Sequence, residues 1–153
     1  MKVLEMPEIP KLMLDELEEK FRDAQPYVQI NFPQDLSKEF VECFKEYTLA
    51  NTPIKKIGVG WINARKKVEG TYNYFHWHTE EVHNFPLNSM YILWVCGEKG
   101  KGGEFKCVLE DGDIGVVPFE PPKCALIGTS TPHYIESYFG DKHRVSININ
   151  VEV

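Results

Sequence analysis

The sequence predicts a mainly β (α+β) fold, an antiparallel barrel or jelly roll backed by two N-terminal helices. Three observations carry this reading. Apolar residues recur at helical spacing up to Tyr47, strand-like alternation takes over from Ile54, and no helical pattern is interleaved with the later strands. A parallel α/β sheet would need that interleaving.

The first helix is marked by Leu14, Leu17, Phe21 and Ala24, one apolar stripe among Asp15, Glu16, Glu18, Glu19 and Lys20. Leu36, Phe40, Cys43, Phe44 and Tyr47 mark the second, after the start signals Pro33 and Asp35. Both read as packing elements that cover a sheet. Between them, residues 27–31 form a short strand bounded by Pro26 and Pro33. Further strands are expected at 57–65, 72–79, 90–96, 104–109, 113–117, 124–128, 133–137 and 144–151. They are separated by breaks at Glu69-Gly70, at 97–103, at 110–113 and at 118–122.

A chain of 153 residues, 42% apolar and 26% charged, fits one domain spanning 1–153, helical over about 10–50 and barrel-forming over about 54–153. Its net charge of -6 disfavours nonspecific binding to nucleic acid or to an anionic membrane surface. No apolar run approaches the length of a membrane span, and no internal repeat is present. Cys43, Cys96, Cys107 and Cys124 form no CxxC pair, and the N-terminus lacks the basic and apolar regions of a signal peptide. Reduced thiols in a cytoplasmic compartment fit this pattern. Homo-oligomerisation stays open.

The chemistry concentrates in Phe75-His76-Trp77-His78-Thr79-Glu80, in His133, and in the closing run from Arg144 to Asn150. Side chains alternate across a strand, so Tyr72, Tyr74, His76, His78 and Glu80 share one face. Arg144, Ser146, Asn148 and Asn150 likewise lie opposite Val145, Ile147, Ile149 and Val151. A solvent-facing polar row is the ordinary explanation for either strand alone. The apolar rows, however, are bulky enough to pack under the helices, which would turn the polar rows into the interior. There imidazoles and a guanidinium need partners, and a metal and an anion supply them.

Residues i and i+2 of one strand can both reach a metal, and a third ligand from a distant strand leaves positions open for cosubstrate and dioxygen. His78 and Glu80 fit as the pair and His133 as the distant partner; His76 with His78 is a competing pair. Arg144 can grip a carboxylate through two parallel hydrogen bonds, with Ser146 one pleat further on the same face. Such a set points to iron-dependent oxygenase chemistry with an acidic cosubstrate.

In order and approximate spacing, Trp77-His78-Thr79-Glu80, Gly102-Gly103-Glu104-Phe105, Pro132-His133 and Arg144-Val145-Ser146 resemble the Fe(II)/2-oxoglutarate-dependent oxygenase superfamily, over roughly residues 77–153. The glutamate variant is similar to the clavaminate-synthase and asparagine-hydroxylase branch, and the closing run to small phage and bacterial members, some of which carry His-X-His. The resemblance implies a double-stranded β-helix (jelly roll, cupin-like) in which His78, Glu80 and His133 hold Fe(II). It also implies that Arg144 and Ser146 meet the far carboxylate of 2-oxoglutarate, with Tyr91 able to hydrogen-bond there. Oxidative decarboxylation would release succinate and CO2 and hydroxylate a C–H bond of a small-molecule or peptide substrate.

Weaker candidates are Trp61, Asn63, Arg65, Tyr72 and Tyr74 as pocket lining, and Glu81 and His83 on a loop over 80–88. Gly97, Gly100, Gly102 and Gly103 lack the order of a phosphate loop and read as a turn. Two rivals stand beside the oxygenase. One is a cupin-like metalloprotein, an isomerase or a 2-oxoglutarate-independent dioxygenase using His76, His78 and His133. The other is a non-catalytic barrel that holds a small acid.

Overall fold

The computed structural model describes residues 1–4, 9–23, 25, 27–51, 53–68, 88–95, 100–117, 124–128 and 130–153. Their order is β1 (Lys2–Leu4), α1 (Lys11–Phe21), β2 (Tyr27–Phe32), α2 (Lys38–Asn51), β3 (Lys56–Val68), β4 (Asn88–Val95), β5 (Lys101–Gly102), β6 (Phe105–Val108), β7 (Ile114–Val117), β8 (Cys124–Gly128), β9 (His133–Ile135) and β10 (Tyr138–Glu152). A large antiparallel sheet has the order β1-β8-β4-β10-β3-β2, with β5 also paired to β10; a small one has the order β7-β6-β9. The expected strand at 72–79 lies outside the described residues, as do His76, His78, Glu80, Glu81 and His83.

The helices form because their stripes find a sheet to cover. Met13, Leu17 and Phe21 of α1 and Phe40, Val41 and Phe44 of α2 are buried in one cluster with Ile62 and Ala64 of β3 and Val145, Ile147, Ile149 and Val151 of β10. Each large side chain so buried contributes on the order of 2 kcal/mol. Phe44 ties the layer together, edge-on to Phe32 at 5.5 Å and stacked on Phe40 at 6.1 Å. The start of α2 falls after the expected Pro33 and Asp35. Ser37 caps it, its Oγ accepting the Phe40 N–H at 3.0 Å while the Glu16 carboxylate of α1 accepts from the Ser37 hydroxyl and N–H.

A second cluster lies on the opposite face of the large sheet. Ala125 and Ile127 of β8 pack there against Phe105, Cys107 and Val117 of the small sheet, while Cys124 and Leu126 of the same strand join the helix-side core. β10 is therefore covered on both sides, and every residue from His143 to Val151 is buried.

Two expectations need correction. The interval between the strands expected at 133–137 and 144–151, where Gly140-Asp141-Lys142 suggests a turn, is not a turn; residues 140–142 run within β10. The strand survives there because β5 and β3 pair with Tyr138 and Phe139 on either side, and the residues up to Arg144 are absorbed as a register shift. The buried Tyr138 hydroxyl donates to Lys142 O at 2.9 Å, and a Cβ at Gly140 would lie 2.4 Å from that hydroxyl oxygen. The break expected at 97–103 likewise contains β5, and β1 carries no alternation long enough to announce it.

Candidate functional site

Alternation along β10 delivers Arg144, Ser146, Asn148 and Asn150 to the face away from the helices, at 1%, 1%, 4% and 4% exposure. A solvated polar row would be open to water; this one is closed off. Burying polar groups is costly unless something pairs with them. Yet the Ser146 hydroxyl and Asn148 Oδ1 are buried without a hydrogen-bond partner among the described residues.

Arg144 is held from the opposite side. Its Nε donates to Gly103 O at 2.6 Å, and Gly103 N donates to Ser137 O at 3.1 Å, so the chain before β6 forms a bracket around the guanidinium stem. Gly103 has φ +83°, where side chains are strained, and a Cβ there would lie 2.9 Å from the Tyr138 ring and 3.0 Å from Arg144 Cδ. This is the structural reason for glycine in the run Gly102-Gly103-Glu104-Phe105. The sequence marked the run but gave it no task.

His133 opens β9 and is 6% exposed. Its Nδ1 lies 2.8 Å from Thr131 O, and since a carbonyl only accepts, Nδ1 carries a proton, which fixes the ring's orientation. Its ring stacks on Phe105 at 5.2 Å with 26° between planes. A carbonyl accepting from one ring nitrogen is how metal-binding imidazoles are oriented. Phe105 went unassigned in the sequence; its alternation with Cys107 ahead of the turn was the available signal.

The register brings other candidates into the same rows. Asn148 is opposite Tyr91 of β4 and Trp61 of β3, and Ser146 is opposite Leu93 and Asn63. Tyr91 is thus in the row next to Ser146 by its backbone position. Arg65 is the backbone partner of Arg144, and Trp61 and Asn63 are half-buried. At the sheet edge the Tyr27 hydroxyl is 3.3 Å from Gln29 Oε1 and from Asn63 Oδ1. Cys107 and Cys124 are the buried thiols expected; burial pushes Cys124 up to about 12, so it stays protonated and inert at neutral pH.

Of the expected metal ligands, His133 alone lies among the described residues, on the small sheet. Arg144 and Ser146 lie on the large sheet's face toward it. No helix among the described residues is long and apolar enough to cross a membrane.

No family model matches the sequence, and no curated protein does. The fold, in contrast, is recognisable. A Pseudomonas putida prolyl-4-hydroxylase is similar with TM-score 0.65 at 12% identity, over 97% of this chain and 90% of that one. The viral collagen prolyl hydroxylase of Paramecium Bursaria Chlorella virus-1, solved as its 2OG complex, is similar with TM-score 0.55 at 13% identity, over 99% and 97%. The chain therefore shares the largely antiparallel β fold, with its helices, of these two hydroxylases.

Proposed function

We propose that the protein is an Fe(II)- and 2-oxoglutarate-dependent oxygenase, a hydroxylase of a small molecule or a protein side chain. The observation that carries this reading is the buried Arg144, anchored by Gly103, beside a Ser146 hydroxyl that is buried without a partner among the described residues. A carboxylate ligand suits both, accepting in-plane from the edge of the guanidinium and taking the hydroxyl as a further donor. The fold shared with two hydroxylases supports the same reading.

In this reading the two sheets form a double-stranded β-helix, and His133, His78 and Glu80 hold the metal. The donor chemistry of His133 fits, since its ring is oriented by the Thr131 carbonyl on Nδ1 and by the face of Phe105, as in metal-binding imidazoles. Arg144, Ser146 and Tyr91 would take the far carboxylate of 2-oxoglutarate. When bound, Fe(II) and 2-oxoglutarate supply the oxidation of a C–H bond by dioxygen, releasing succinate and CO2. The protein's own part is to orient. β10 is fixed on both sides, so its inward-facing side chains are rigid, and the cluster of Phe105, Cys107, Val117, Ala125 and Ile127 excludes water beside His133.

The test is succinate release from 2-oxoglutarate by protein supplied with Fe(II) and oxygen. Release that depends on iron and falls about tenfold or more in Arg144→Ala supports the proposal. Iron binding without any 2-oxoglutarate consumption, in the native protein, favours the cupin-like alternative instead.

A further inference from the structure

A cavity of about 320 Å³ opens on the helix side of β10, where α1 ends against the sheet. Phe21 and His143 form its buried wall, at 1% and 3% exposure, with ring centroids 5.8 Å apart. Arg22 from the end of α1, Lys66 of β3 and Lys142 of β10 stand around them, together with the carboxylates of Glu18 and Asp141. His143 and Arg144 are successive residues of one strand, so their side chains leave it on opposite faces. The cavity is therefore separate from the face that carries Arg144 and Ser146.

The fold makes no use of these charges. Among the described residues, none of the cavity's charged side chains is in an ion pair. Three cations converge from three elements of a chain whose net charge is -6, an arrangement that mutual repulsion disfavours unless an anion joins them. The carboxylates do not turn the cavity into a cation site, because Glu18, Asp141 and His143 form no group able to hold a metal ion.

His143 adds a donor that depends on protonation. Its Nε2 lies 3.2 Å from Gln25 O, and a carbonyl only accepts, so Nε2 carries a proton and the ring titrates at Nδ1. No hydrogen bond engages Nδ1 among the described residues. Three cations less two carboxylates leave one positive charge, and a protonated His143 makes two. A phosphate group carries about two negative charges at neutral pH and accepts hydrogen bonds from several directions.

We propose that this cavity binds a small phosphate-bearing ligand, its oxygens accepting from Arg22, Lys66, Lys142 and the protonated Nδ1 of His143. The inference does not rest on the oxygenase reading. Arginine supplies a forked pair of donors, and the lysines supply point charges. Burial and the Lys66 cation keep the imidazole neutral in the empty cavity, whereas an anion beside it favours the charged form. Anion binding and proton uptake thus promote each other, as linkage requires.

Calorimetric titration at low ionic strength, with no iron added, tests the site using inorganic phosphate, sulfate and acetate as probes. Phosphate and sulfate should bind saturably, and acetate about tenfold more weakly or not at all. Arg22→Gln and Lys66→Gln should each raise the phosphate dissociation constant about tenfold without changing thermal unfolding, since both side chains stand at the rim. Sulfate keeps its charge across neutral pH, so its pH dependence reports on the protein alone. Its binding should tighten by up to about tenfold from about pH 8 to about pH 6 in the native protein and stay nearly flat in His143→Phe. The absence of saturable phosphate binding, or unchanged constants in Arg22→Gln and Lys66→Gln, overturns the site. Acetate binding as tightly as phosphate overturns the ligand class, and equal pH slopes in native protein and His143→Phe overturn the role of His143.

Discussion

Gly103 shows how much a single missing methyl group can decide. Its φ of +83°, which a side-chain-bearing residue would adopt only with strain, and its carbonyl, 2.6 Å from Arg144 Nε, make it both a turn and the anchor of the buried cation. Gly103→Ala is expected to lower stability by about 1–3 kcal/mol through backbone strain and overpacking, and to weaken 2-oxoglutarate binding by displacing Arg144. Chemical denaturation and ligand titration of the same variant check both effects. A stable variant with native affinity would remove Gly103 from the site. The sequence showed a pair of glycines and an arginine far apart; only tertiary contact joins them. Ser146 and Asn148 were legible as sharing a face with Arg144 because alternation alone fixes the face, whereas their burial is a property of the packed sheets.

β10 carries the chain's conspicuous titrating group as well as its site. His143 is buried between Phe21, at 5.8 Å, and the Gln25 carbonyl, which lies 3.2 Å from Nε2. Burial lowers its pKa below 6.5; the Gln25 hydrogen bond partly opposes this, and the nearby Lys66 cation lowers it further. Glu18, Arg22, Asp141 and Lys142 complete the charged rim of a cavity of about 320 Å³ on this helix side. A base with a depressed folded pKa stabilises the fold above its unfolded value, and that contribution is lost as pH falls below 6.5 toward the folded pKa. Native protein should therefore lose melting temperature between about pH 7 and about pH 5 more steeply than His143→Phe, which keeps the ring packing without the charge. Parallel slopes would mean that His143 titrates in the fold as it does unfolded. The apolar row Val145, Ile147, Ile149 and Val151 was plain in the sequence because it obeys one period. The irregular entry at 138–143 was not, because a glycine flanked by charges reads as a turn until the Tyr138 hydroxyl and the partners on either side hold it extended.

The molecule as a whole is two cores sharing one sheet. Helices bury the apolar rows of β3 and β10, and the small sheet closes over the other face, so a polar row placed on the central strand becomes interior. That consequence was readable from periodicity, since bulky apolar rows must be covered and helical stripes were available to cover them. What spacing could not supply was the distance between strands far apart in the chain, or the anchoring of His133 by Thr131 and Phe105. The proposed function makes one demand that can be met or refused in solution: an acid should bind on β10 next to a metal on His133. Anaerobic addition of 2-oxoglutarate to Fe(II)-loaded protein measures this directly. A weak visible charge-transfer band that appears in the native protein, and is lost in both His133→Ala and Arg144→Ala, is the predicted result. No band in the native protein, or an undiminished one in Arg144→Ala, would contradict the account.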